Sequence, residues 1–178
     1  MRIVAACFAL SPTAMPLAAI QNAPGGVSPL PTSVPLSDLE IRLDRNTGGG
    51  CQGRCVHYRI TIRGEGTVTY ADLADPPVQP RQRTVAVDEV VALANEFIRA
   101  RFLEAPQRYV GESFYVRQGD RMVLRGSGGA DGPEWDLTFQ LGGLSRSVHL
   151  YLGYPEYLGR LRDLVERLGG PGAWGATK

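Results

Sequence analysis

Three runs of alternating apolar and polar residues constrain this chain more than any other feature in it. Leu39, Ile41 and Leu43 alternate with Glu40, Arg42 and Asp44. Val56, Tyr58, Ile60 and Ile62 alternate with His57, Arg59, Thr61 and Arg63, and Val68 and Tyr70 alternate with Thr67 and Thr69. Successive side chains of a β-strand point to opposite faces, so each run predicts a strand with one buried and one solvated face. The segment RGEGT (63–67) has turn composition, with Gly64 and Gly66 free to take positive φ. Residues 56–70 therefore read as a hairpin.

The rest of the body follows the same logic. RTVAV (83–87) is strand-like by its β-branching. Asp88 reads as an N-cap, since its carboxylate can accept a first-turn N–H. Val90, Leu93, Ala94, Phe97, Ile98, Phe102 and Ala105 then keep helical spacing up to Pro106. A second helix opens at Tyr154-Pro155, with proline in the first turn that it favours, and closes at Gly169-Gly170. Leu158, Leu161, Leu164, Val165 and Leu168 form its apolar stripe, which reads as core. Between the helices, residues 113–126 read as a hairpin turning near Gly119-Asp120. After a loop over 127–133, EWDLTFQL and SRSVHLYL read as two strands turning at Gly142-Gly143. Seven or eight short strands and two helices that do not strictly alternate predict an α+β domain, an antiparallel sheet with two helices packed on one side.

The first residues differ in character. MRIVAACFALSPTAMPLAAIQNAPGG has a basic start, an apolar stretch and small residues at Ala18-Ala19 and Ala23, and no acidic residue appears before Asp38. These are the marks of a secretory signal over residues 1–23. Pro12 and Pro16 interrupt the stretch, and a spanning helix wants about 20 predominantly apolar residues, so no transmembrane span is expected in the mature chain. IVAAC, ending at Cys7, resembles a bacterial lipobox, a reading that requires a start upstream of Met1. Residues 24–38 hold Pro24, Pro29, Pro31 and Pro35 and read as a spacer. The folded body is expected at 39–174, with a tail at 175–178, in a periplasmic or secreted protein.

Charge narrows the partners. Nineteen basic residues, of which only Lys178 is lysine, face eighteen acidic ones. Nucleic-acid affinity rests on a dense positive surface, and this balance does not supply one. The arginines between Arg99 and Arg125 are interleaved with Glu104, Glu112 and Asp120 and read as a solvated face.

Cys51 and Cys55 admit four readings. A haem tether needs histidine directly after the second cysteine, and here Val56 intervenes before His57. A structural zinc site wants four ligands, for which Cys51, Cys55, His57 and His149 are the candidate set. A thiol oxidoreductase would place Cys-x-x-Cys at a helix N-terminus, whereas this spacing is one residue longer and a strand follows. The fourth reading, a structural disulfide, agrees with an oxidising compartment. Residues four apart in a strand sit about 13 Å apart, and a bridge needs Cα atoms within about 7 Å. The segment must then be a compact turn, which Gly53 permits. Closing so short a loop is worth about 2 kcal/mol on the chain-entropy model.

At these residues the chain resembles an exported bacterial family, domain of unknown function 6438. The front motif is carried by Ile41, Leu43, Cys51-Gln52-Gly53-Arg54-Cys55, Tyr58, Gly64, Gly66, Val68 and Tyr70. A looser pattern continues through Phe97, Phe102, Tyr109, Asp131, Pro133, Gly143 and Trp174. The likeness spans about residues 39–174. The family usually carries phenylalanine where this chain has Gln52 and proline where it has Val56, and the hairpin 113–126 looks like an insertion. The resemblance implies an exported α+β domain and brings no activity with it.

Catalytic spacings are missing. RGSGG (125–129) is not a nucleophile elbow, and GSGGADG (126–132) lacks dinucleotide-binding spacing. No phosphate-cradling loop with its lysine occurs. Asp131 and Glu134 read as turn or cap residues. No catalytic residue, metal or cofactor is assigned. The expected function is a non-enzymatic binding or structural module meeting an envelope protein or cell-wall component. The alternative, a thiol-dependent redox enzyme, would use Cys51 and Cys55.

Overall fold

A computed structural model describes residues 29–47, 55–73, 78–111, 113–126 and 132–174. The front alternation becomes β1 (Leu39–Asn46), β2 (His57–Arg63) and β3 (Thr67–Asp72), followed by β4 (Arg81–Thr84) and α1 (Val87–Arg99). Then come β5 (Arg108–Val110), β6 (Ser113–Gln118), β7 (Arg121–Gly126), β8 (Glu134–Leu141), β9 (Leu144–Leu152) and α2 (Glu156–Gly169). Seven strands form one sheet in the order β4-β3-β2-β1-β8-β9-β5, while β6 and β7 pair only with each other. All pairings are antiparallel except β5 with β9. The fold is α+β, as expected.

Register explains the core. Val68, Ile62, Ile41 and Phe139 stand side by side across four strands. The next row is Tyr70, Ile60, Leu43, Leu137 and Val148. Every one of these side chains is buried. Against that face α1 buries Val90, Leu93, Ala94 and Phe97, and α2 buries Leu158, Leu161 and Val165. Phe97 stacks on Phe139 with centroids 5.0 Å apart and meets Phe102 edge-on at 5.0 Å, a geometry that aromatic pairs favour. The opposite face keeps the polar alternates. There Asp44 bridges Arg42 (3.2 Å) and Arg59 (2.6 Å), and Asp136 meets His149 at 2.9 Å.

Several expectations change in detail. The strand expected over 83–87 ends at Thr84; the Val85 N–H still donates to the Gly66 carbonyl in the same register, and the chain then passes into α1. Val87 already belongs to α1, so Ala86 takes the cap position and Asp88 lies inside the first turn. The Glu89 carboxylate accepts the Ala86 N–H at 3.2 Å. At the other end Pro106 is not the terminator. Arg101 adopts φ 53°, and the apolar spacing continues in a 3-10 turn, Phe102–Glu104. Pro155 caps α2 instead of opening its first turn. The described strands number nine, because the three-residue β5 is too short to show periodicity. The expected spacer also ends in structure, a 3-10 turn at Leu36–Asp38 whose Asp38 carbonyl accepts the Gly142 N–H at 3.0 Å.

Candidate functional site

The cysteine motif falls at one end of the sheet. β1 and β2 pair up to Asn46 opposite His57, so the segment carrying the cysteines joins two adjacent strands. Cys51 and Gly53 lie outside the described residues, as does the compact turn expected there; Cys55 is exposed just before β2. Beside it opens a cleft of about 310 Å³ lined by Cys55, His57, Tyr58, Tyr70, Asp72 and Pro171, among others. The structure thus brings three of the sequence-derived site residues, Cys55, Tyr58 and Tyr70, to one place. Gly66 is elsewhere, in the β2–β3 turn, at φ 93° with the Val85 carbonyl oxygen 2.5 Å from where a Cβ would sit. Its role is to let the turn form and β4 approach. Gly64 is equally confined, with the Leu36 carbonyl oxygen 2.1 Å from such a Cβ.

The row of the core face nearest this end is unlike the others. It reads Tyr58, Arg45, Trp135 and Leu150 across β2, β1, β8 and β9. Arg45 lies between two rings, 5.7 Å from the Tyr58 centroid and 5.8 Å from that of Trp135. The Arg162 guanidinium of α2 also sits 4.6 Å from the Trp135 centroid and donates to the Tyr154 hydroxyl at 2.6 Å. The Tyr58 hydroxyl donates to Glu166 Oε1 at 2.6 Å. Burial, followed by that carboxylate, pushes the phenol up to about 12, against a smaller opposing pull from Arg45.

A second cation–aromatic set flanks Tyr70. Its ring lies 5.4 Å from Tyr58 and 6.2 Å from Trp174. Arg81 is 5.0 Å from the Tyr70 centroid and Arg83 is 5.4 Å from that of Trp174. Arg83 also donates to the carbonyls of Leu168 and Ala173, closing the C-terminal end of α2. Each cation–aromatic contact is worth about 0.5–2 kcal/mol, and together they fasten α2 to the sheet at its cysteine end. Glu166, Arg45, Arg162 and Trp135 were not legible as site residues, because nothing local in the sequence ties α2 to β1 or β8.

The candidate zinc set does not assemble. His57 and His149 stand on β2 and β9, with β1 and β8 between them, roughly 14 Å apart at ordinary strand spacing. Among the described residues no group of three His, Cys, Asp or Glu side chains is placed to hold a metal ion. Of the two acidic residues read as turn or cap residues, Glu134 instead begins β8, and Asp131 lies outside the described residues. No helix of the described residues is long and apolar enough to cross a membrane.

These features define a helix-covered α+β sheet with an aromatic and arginine cluster at the end where its cysteine motif lies. Compared with known proteins, the chain matches no protein-family model and no curated protein.

Proposed function

We propose that this chain is an exported envelope module, akin to the domain of unknown function 6438 family, that acts by binding an envelope protein or cell-wall component, and that a Cys51–Cys55 disulfide staples its β1–β2 connection. One observation carries the non-catalytic reading. Two polar pairs at the cysteine end are closed on one another, Tyr58 with Glu166 and Arg162 with Tyr154, while Arg45 Nε and Trp135 Nε1 are buried without a hydrogen-bond partner. A phenol that ionises near 12 is poorly matched to proton transfer near neutrality. The context of Cys55 supports the same reading: the chain continues from it into β2, whereas a reactive thiol gains from a helix N-terminus. Export is supported by the basic, apolar and small-residue order of residues 1–23.

The test is made on native, non-reduced protein. Mass spectrometry of the peptide spanning Cys51 and Cys55 is expected to find it two hydrogens lighter than the reduced form and closed to alkylation. Equilibration with glutathione buffers is expected to leave the bridge intact. Two free thiols would remove the staple. A labile bridge with one thiol ionised near neutral pH would turn the assignment to a thiol-dependent enzyme.

A further inference from the structure

The helical layer carries a groove that the cysteine motif does not use and that meets the cation–aromatic set at Arg83. α1 and α2 run antiparallel over the sheet: Glu89 lines the same cleft as Arg167 and Leu168, and Arg99 the same cleft as Tyr157 and Arg160. The two clefts, about 540 and 520 Å³, share Glu96, Leu164 and Arg167 and so form one continuous trough. A helix the length of α1, Val87–Arg99, spans about 20 Å, and the trough follows it from Glu89 to Ala100. Ala92, Leu93, Leu164 and Leu168 supply apolar lining.

Charge along the walls is uneven. On α1, Glu96 is already paired with Arg99, and Glu89 holds the Ala86 N–H. On α2, Arg160 and Arg167 stand two turns apart, and neither enters an ion pair among the described residues. At the Arg167 end, Arg83 also lines the cleft, and its Nε–H is buried without an acceptor. Asp163 lines the same wall but is held by Arg162, so Arg160 and Arg167 present cations that no carboxylate of the wall pairs.

Resting on the reading of this chain as a binding module, we infer that the trough is the docking site for an amphipathic helix of a partner protein. The apolar stripe of that helix lies along Ala92, Leu164 and Leu168, and its acidic flank meets Arg160 and Arg167. The trough favours a helix over a small ligand, because it is open along its length and a small-molecule site usually buries 70–90% of its ligand. It disfavours a second copy presented through the same face, because two concave troughs facing each other leave the apolar linings apart. An apolar stripe with charged flanks is how helices are read in grooves generally.

The experiment uses the full chain and two labelled amphipathic peptides of about five turns with the same leucine stripe, one flanked by Glu and the other by Lys. Fluorescence anisotropy at low salt is expected to show saturable binding, with the Glu-flanked peptide tighter by about tenfold and the preference shrinking as salt is raised. Reversing both cations, Arg160→Glu with Arg167→Glu, is expected to invert the preference. An unchanged urea midpoint shows that this variant is folded. Saturable binding of neither peptide, or equal binding that the reversal leaves unmoved, overturns the assignment. Either failure with an intact Cys51–Cys55 bridge removes the trough as the site and leaves the module reading standing, whereas charge-dependent peptide binding with a labile bridge keeps the trough and removes the non-enzymatic reading.

Discussion

Tyr58 shows how one residue serves both layers. Its ring fills the core at 1% exposure, while its hydroxyl reaches Glu166 on α2. A hydrogen bond to a charged acceptor contributes about 1.5–3 kcal/mol, so Tyr58→Phe should lower stability at neutral pH by about that much, read from urea unfolding. Burial of the phenol, followed by that bond, also sets a pH dependence. The folded phenol is raised from 10 to about 12, so the folded state holds its proton more tightly than the unfolded chain does. The stabilisation is complete below pH 10 and is lost as pH rises through 12. Urea midpoints measured from pH 8 upward should fall across that window in the parent, and less steeply in Tyr58→Phe. Tyr109, also pushed up to about 12 by burial and then by Tyr157, keeps part of the slope in the variant.

At the scale of elements, the seating of α2 depends on how closely its end approaches the sheet. A Cβ on Gly169 would lie 2.4 Å from Ile60 Cγ2 and 3.0 Å from Val68 Cγ1. Overpacking of this kind costs about 1–3 kcal/mol, more than the roughly 1 kcal/mol that alanine gains over glycine in a helix. Gly169→Ala is therefore expected to destabilise. Gly159 sits in the same helix with only Tyr154 Cε2 at 3.5 Å, an ordinary contact. Gly159→Ala should stabilise by up to about 1 kcal/mol. Urea unfolding of the two variants should give opposite signs, and a common sign would refute the close-packing account.

For the whole molecule, the question is which parts carry the fold. The seven-stranded sheet and two helices share one core, whereas β6 and β7 pair with each other alone. A lone hairpin adds little stability in water, and shortening a loop changes closure entropy only slowly. Deleting residues 113–126 should therefore shift the unfolding free energy of the body by less than about 1 kcal/mol, and a large loss would mean that the hairpin supports the core. The trough and the aromatic cluster also belong to this scale, since each joins segments far apart in the chain.

The sequence by itself determined what depends on neighbours along the chain. Period-two alternation named the buried side chains of β1 to β3, the turn glycines placed the hairpins β2–β3, β6–β7 and β8–β9, and the apolar stripes located both helices. Only the tertiary structure decided that β1 lies between β2 and β8, that β5 adds in parallel to β9, and that Arg45 falls opposite Trp135. The physical reason is one of range. A side chain's face follows from its parity along its own strand, but its partner follows from which strands share a core. Tyr58 was visible as a core residue from its neighbours at once, while Glu166, 108 positions away, became its acceptor only after α2 had settled on the sheet.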